Sequence, residues 1–325
     1  MIRRPLSPLF GTAALLLLVA QPSAGQAYIP PTGGGTVSVS FQSVHASPQL
    51  DGTGAKGDPL EINDTQALIW HVEYGLTDRI AVHASLPLMF ARYDGPFGHS
   101  VLDDSTYHGG FQDFYVGVRY GLVQSPGFAF APFVEAVIPS HRYETNAQSA
   151  IGRDLRVLLV GAAAGGFLDD ILPGLYFQTR VSHGIAQEVV AIRTNRTGID
   201  SAIGYFVNPR LGLQFVQTFQ YIHNGIDFIF YPEFDGVITG GRPVTDEHWI
   251  NHDRLLRGRV LTLGGGVTYA FNESIGLFAA ATTMAWGRSL PTPERSFSVG
   301  VNWSFQTGRS SSRLHPNVSR RVGRP

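Results

Sequence analysis

The sequence predicts an all-β chain, a single transmembrane antiparallel β-barrel of about twelve strands. Three observations carry that reading. Short segments alternate apolar and polar residues with period two. Beyond the first residues no stretch approaches the roughly 20 apolar residues of a membrane-spanning helix. A turn signature also recurs, as Tyr74-Gly-Leu-Thr-Asp78, Tyr205-Phe-Val-Asn-Pro209 and Tyr269-Ala-Phe-Asn-Glu273. In each, an alternating strand ends on an aromatic ring, passes through a short polar turn and gives way to a second alternating strand. An amphipathic ring sits well at a membrane boundary, and closed hairpins leave no unpaired backbone in lipid. A soluble sandwich or propeller would also alternate. Aromatic residues at both ends of several strands, and connections that alternate short and long, favour the barrel.

The first residues read as a secretory signal: Arg3 and Arg4, an apolar run from Leu9 to Ala20, and Gly25-Gln26-Ala27 as a small-x-small cleavage site. This assigns residues 1–27 to a signal peptide, 28–305 to the barrel and 306–325 to a tail. The chain has no cysteine, so neither disulfides nor thiolate metal sites are available. Its net charge of -1, with 15% charged residues, gives no sign of nucleic-acid binding, whereas 38 Gly, 21 Phe and 12 Tyr suit lipid-facing strands joined by tight turns.

Strand one is expected at residues 37–44, with Val37, Val39 and Phe41 on one face. Strand two, 66–74, directs Leu68, Trp70, Val72 and Tyr74 to lipid and Ala67, Ile69, His71 and Glu73 inward, and strand three follows at 80–90. Strand four, 111–122, sets Phe114, Val116, Val118 and Tyr120 outward against Asp113, Tyr115, Gly117 and Arg119. Strand five is expected at 128–138 and strand six at 155–167, where a Gly/Ala-rich run leaves the facing open. Strand seven alternates Leu175, Phe177, Thr179 and Val181 with Tyr176, Gln178, Arg180 and Ser182, and strand eight ends at Tyr205. Strands nine to twelve are expected at 211–222, 259–271, 275–286 and 297–305.

The last strand alternates Phe297, Val299, Val301, Trp303 and Phe305 with small polar residues. It resembles the terminal-strand signal that marks such barrels for insertion, with Trp303 and Phe305 as the insertion signal read by barrel-assembly machinery. In that pattern the aromatic closes the chain, whereas here residues 306–325 follow, with five Arg and no acidic residue. Their Ser, Arg and Pro content reads as a basic, disordered, solvated tail. With the short turns periplasmic, six long connections face outward, at about residues 47–65, 93–109, 141–153, 184–197, 223–257 and 288–295.

On this facing His71, Glu73, Asp113, Arg119, Glu135, Gln178 and Arg180 line the lumen. Their mixed signs fit either mutual pairing that stiffens the wall or a path for polar and amphipathic solutes. The fifth outer connection carries Phe228, Phe230, Tyr231, Phe234 and Trp249, which are costly to leave bare and are read as a lid or plug over the mouth. Asp103-Asp104 with His99 and His108, and the acids near His248 and His252, match no recognised ligand spacing, so no metal and no cofactor is expected. Barrel enzymes place Ser and His together at the mouth. Ser182 and His183 are adjacent on one strand and point to opposite faces, and His223 lacks a nearby serine, so no enzyme is expected.

Several segments resemble the outer-membrane proteins of the putative MetA-pathway of phenol degradation family. They are Glu73-Tyr-Gly-Leu-Thr-Asp-Arg79 leading into Ala84-Ser-Leu-Pro-Leu88, then Gly110-Phe-Gln-Asp-Phe-Tyr-Val-Gly-Val-Arg-Tyr120, and Val137-Ile-Pro-Ser140. The likeness covers mainly the first half and its motifs are barrel motifs. It implies transport of hydrophobic or aromatic compounds and brings no ligand residue with it. The expectation is a monomeric channel of a Gram-negative outer membrane that passes small hydrophobic, aromatic or amphipathic solutes passively, in contact with membrane lipid and lipopolysaccharide. The alternative is a sealed structural or surface-binding barrel.

Overall fold

The computed structural model describes residues 27–57, 60–96, 98–227, 238–239, 242–243 and 245–307. Their backbone closes into one barrel of twelve antiparallel strands. The wall is built from β1 (Gly34–Leu50), β2 (Ile62–Thr77), β3 (Ile80–Asp94), β4 in two pieces (His108–Phe111 and Phe114–Tyr120), β5 (Phe128–Ile138) and β6 (Val157–Phe167). It continues through β7 (Leu175–Ala186), β8 (Arg196–Phe206), β9 (Leu211–Ile222), β10 (Arg259–Ala270), β11 (Ile275–Arg288) and β12 (Leu290–Gln306). Each strand pairs with the next, and β12 returns to β1 from Gly34↔Gln306 to Leu50↔Leu290. Closure satisfies the edge strands that an open sheet would leave bare in lipid.

Three of the short turns share one construction. Thr77 Oγ1, Asn208 Oδ1 and Asn272 Oδ1 each accept hydrogen bonds from the backbone N–H groups two and three residues ahead. These are the fourth residues of the three repeated signatures, and each brackets its own turn through a short side chain. Above them Tyr120, Tyr205, Tyr269 and Trp303 stand exposed at one level, and Val118, Val134, Val160, Ile203, Phe215 and Val299 continue the outward apolar band. Exposed apolar residues in that density belong against lipid.

At the seam Gly35 lies under Phe305, whose ring stacks on Tyr74 at 6.4 Å. A Cβ on Gly35 would meet Phe305 Cζ at 2.6 Å and Glu73 O at 2.4 Å, so the glycine makes room for the terminal aromatic.

Two expectations are corrected. Strand four is not continuous from 111: it breaks at Gln112 and Asp113, and its first piece reaches up to His108 against β3. The break follows from the third outer connection. Gln112 Nε2 donates to Ile151 O and Tyr143 OH donates to Asp113 Oδ1, so both side chains serve that loop, and Ser140 Oγ caps Phe111 O. The sixth outer loop expected at 288–295 is instead strand: β11 and β12 run up to a one-residue turn at Ser289 (φ 52°), where β12 pairs with β1 and Ser289 N donates to Asp51 O. At 17, 16 and 15 residues, β1, β2 and β3 exceed the roughly 9–11 needed to cross the hydrocarbon and raise one side of the wall above it.

Candidate functional site

The facing left open for strand six is resolved by burial. Val157, Leu159, Ala163 and Gly165 point inward, and Leu158 and Val160 point to lipid. Both faces are apolar because the inward one is covered. Leu255 and Leu256, from the fifth outer connection, are buried against Val137, Val157, Leu159 and Ala186 of β5, β6 and β7.

That connection carries two short helices, α1 (Asp246–Ile250) and α2 (His252–Leu255). Thr245 and His248 close α1 with a reciprocal capping box, and His248 Nε2 donates to Val190 O at 3.1 Å. The fold-in is held by backbone carbonyls. Arg153 Nη2 donates to Leu256 O at 2.7 Å, and Arg254 donates to Arg153 O and Asp154 O. Burial pulls the Arg153 guanidinium down to about 10, which leaves it charged at neutral pH. Where the chain rejoins the wall, Arg257, Arg259 and Ser289 all donate to Asp227. Of the aromatic residues expected in a lid, Trp249 is half-buried and packs on this apolar cluster. Phe228, Phe230, Tyr231 and Phe234 lie outside the described residues.

Below these two helices, charged side chains form a ladder on one side of the lumen. Arg119 pairs with Glu73 between β4 and β2. His83 Nε2 donates to Glu135 Oε2 at 2.7 Å, and Arg180 Nη2 donates to both oxygens of Glu135 at 3.3 and 3.4 Å. The Arg180 guanidinium also lies 4.3 Å over the Phe133 ring, and the His71 and His83 rings are 6.0 Å apart. Thus His71, Glu73, Arg119, Glu135 and Arg180 come together as one network, while Gln178 sits on the same face of β7 as Arg180. Asp113 stands apart: it is buried at the root of the third outer loop under Tyr143, whose hydroxyl pKa burial pushes up.

His83 and Asp200 were not among the expected lining residues, yet His83 bonds Glu135 and Asp200 faces Arg180 in register. Both sit at alternate positions of strands with apolar outward faces, the signal that could have found them.

The opposite half of the lumen, from β9 through β12 to β1, carries no charged inward residue at the level of this ladder. Its inward positions are Gln214, Val216 and Thr218, then Thr262, Gly264 and Gly266, Phe278, Ala280 and Thr282, Ser298 and Gly300, and Ser38, Ser40 and Gln42. Small and hydroxyl-bearing groups make a wall that is uncharged but not greasy.

At the rim formed by the short turns, residues 27–33 run inside the barrel from the β2–β3 turn towards β6. Gly33 N donates to Gly75 O, Thr32 N and Oγ1 donate to Asp78 Oδ1, and Gln124 exchanges hydrogen bonds with Ile29 N and Ala27 O. Ala27 is buried against Ala129 and Ala163, with Tyr28 beside them.

Ser182 points inward and is buried, whereas His183 lies on the other face and bonds Thr197 Oγ1 at 3.2 Å. Thr197 Oγ1 is 2.7 Å from His223 Nε2, so the two histidines share a threonine and no serine.

No family model matches the chain, and no curated protein matches it. Solved structures do. The COG4313 outer membrane channel from Pseudomonas putida F1 superposes with a TM-score of 0.65 and 12% identity, over 86% of this chain and 98% of that one. The NanC porin gives 0.45 and 11% over 83% and 98%, and the CymD monoaromatic hydrocarbon channel 0.41 and 7% over 85% and 89%. At these identities the likeness speaks for the fold, and only the first superposition is close enough to carry it. The chain is a closed twelve-stranded barrel of the outer-membrane kind.

Proposed function

We propose that the protein is a passive outer-membrane channel for small hydrophobic, aromatic or amphipathic solutes, stoppered at its outer mouth by the fifth connection. The observation that carries this reading is the two-sided lumen: the Glu73–Arg119 and His83–Glu135–Arg180 ladder faces an uncharged wall made mostly of Gly, Ala, Ser, Thr and Gln residues. A solute with a charged or strongly polar end and an uncharged remainder finds a counterpart for each. The resemblance of residues 73–88 and 110–120 to a family implied in transport of aromatic compounds supports the same class. On this reading residues 1–27 are removed on export, Trp303 and Phe305 mark the last strand for the assembly machinery, lipid and lipopolysaccharide surround the belt, and no catalytic step is involved.

The deciding experiment is single-channel recording of the refolded mature chain in a planar bilayer, with and without residues 228–256. Low conductance that rises on deletion is the expected outcome. Silence from both forms, with folding verified by the heat-modifiable gel shift, would overturn the channel reading. It would favour a sealed barrel, for which the hydrogen bonds that hold residues 29–33 inside one mouth and the packing of Leu255 and Leu256 inside the other are the supporting observations.

A further inference from the structure

His99 belongs to the second outer connection and His252 and Asp253 to α2, yet their side chains converge. His99 Nε2 lies 3.2 Å from Asp253 Oδ2, His252 Nε2 lies 3.3 Å from Asp253 Oδ1, and the two imidazole centroids are 5.2 Å apart. Among the described residues this is the one place where three such ligand atoms fall within 4.8 Å of one another. We propose that His99, His252 and Asp253 form a binding site for a divalent transition-metal ion such as Zn2+, which ties the second outer loop to the stopper.

Ligand chemistry and spacing agree. Two imidazole nitrogens and a carboxylate suit a borderline ion that keeps a further position open. A tetrahedron with bonds of about 2.0–2.1 Å has edges of about 3.3 Å, close to the 3.2 Å from His99 Nε2 and the 3.3 Å from His252 Nε2 to the Asp253 carboxylate. The lone pairs are turned the right way. His252 Nδ1 lies 2.5 Å from Trp249 O, and a carbonyl only accepts, so Nδ1 carries the proton. The ring is thereby held with Nε2, its other nitrogen, towards Asp253 Oδ1.

The ligands are also held from behind. Asp103 collects the backbone N–H groups of His99, Ser100, Gln148 and Ser149, which locks the second loop onto the third. Arg254 locks α2 onto the same third loop through Arg153 O and Asp154 O. Both sources of ligand are therefore fixed to one support before any ion arrives, which lowers the entropy lost on binding. This arrangement is independent of whether the lumen conducts.

The test uses the full mature chain without a histidine tag, refolded in detergent, titrated with Zn2+ by calorimetry and with Co2+ by visible absorption. One ion per barrel is expected, with Co2+ giving the intense d–d bands of a low-coordinate nitrogen and oxygen site. His99→Gln and Asp253→Asn should each weaken binding by more than about tenfold, whereas His108→Gln, half-buried at the start of β4 and paired with Asp104, should leave it unchanged. Because Asp253 is buried and its replacement could disturb folding, His99→Gln, with the gel shift as folding control, decides the matter. No ion bound at micromolar concentration, or equal binding by wild type and His99→Gln, would overturn the site.

Discussion

Replacing Glu135 by Gln keeps the side chain's shape and removes the acid on which His83 and Arg180 converge. The Glu135, His83 and Arg180 side chains are 8, 9 and 22% exposed, so the network is enclosed, with Arg180 its wettest member. Two unit charges about 4 Å apart attract by about 4 kcal/mol at an effective dielectric near 20 and by about 1 kcal/mol in water. Breaking a pair in a dry interior costs about 3–5 kcal/mol, since the surviving charge is stranded, whereas a pair reached by solvent is worth about 1 kcal/mol or less. A conducting lumen is hydrated, and Arg180 retains Asp200 opposite it in register. The expected loss for Glu135→Gln is therefore about 1–2 kcal/mol, read as the change in urea-unfolding free energy in lipid vesicles. The same variant should shift the reversal potential towards anions, because it removes one negative charge from the path. Arg119→Ala should shift it towards cations. A loss above about 3 kcal/mol with an unchanged reversal potential would refute the argument, because it would mean a dry, sealed interior.

Other outcomes follow from the same contacts. Leu256→Ala removes a fully buried side chain from the stopper; at about 2–4 kcal/mol for such a truncation the undocked fraction should grow by a factor of tens or more, seen as longer open dwell times, and unchanged dwell times would mean that the stopper does not gate. Asn272→Ala deletes an acceptor for two backbone N–H groups and should cost about 1 kcal/mol, measured by unfolding, with a smaller loss showing that water replaces the bracket. Phe305→Ala should lower the amount of assembled barrel more than Val301→Ala on the same strand does, measured by the gel shift of membrane fractions, and equal levels would count against the terminal aromatic signal.

The wall was legible because lipid enforces a strict pattern. Wherever one face meets hydrocarbon and the other meets polar lumen, alternation shows: β5 and β9 begin and end where period two places them. Legibility failed where that contrast is lost. In β6 both faces are apolar because Val157 and Leu159 meet Leu255 and Leu256, a contact between residues about a hundred positions apart. In β4 the break at Gln112 and Asp113 is set by Tyr143 and Ile151, which no local rule reveals. Most of the charged ladder could be read from alternation, but its pairing could not, since Glu135 meets His83 and Arg180 across an intervening strand on each side, with Gly117 of β4 between His83 and Glu135 in register. The His99, His252 and Asp253 cluster was invisible for a similar reason: the adjacent pair His252-Asp253 matches no ligand spacing, and His99, about 150 positions away, is brought to it only by the fold.

The division of the lumen also has a mechanical side. Strands β2 to β7 are cross-braced by ion pairs and by the stopper, whereas at Gly264, Gly265 and Gly266 β10 is held by little more than its ladder hydrogen bonds to β9 and β11. Glycines in a strand add backbone freedom and no packing. Such a barrel is expected to flex as a half-stiffened hoop, its cross-section widening by the give of one flank while the braced flank keeps its shape.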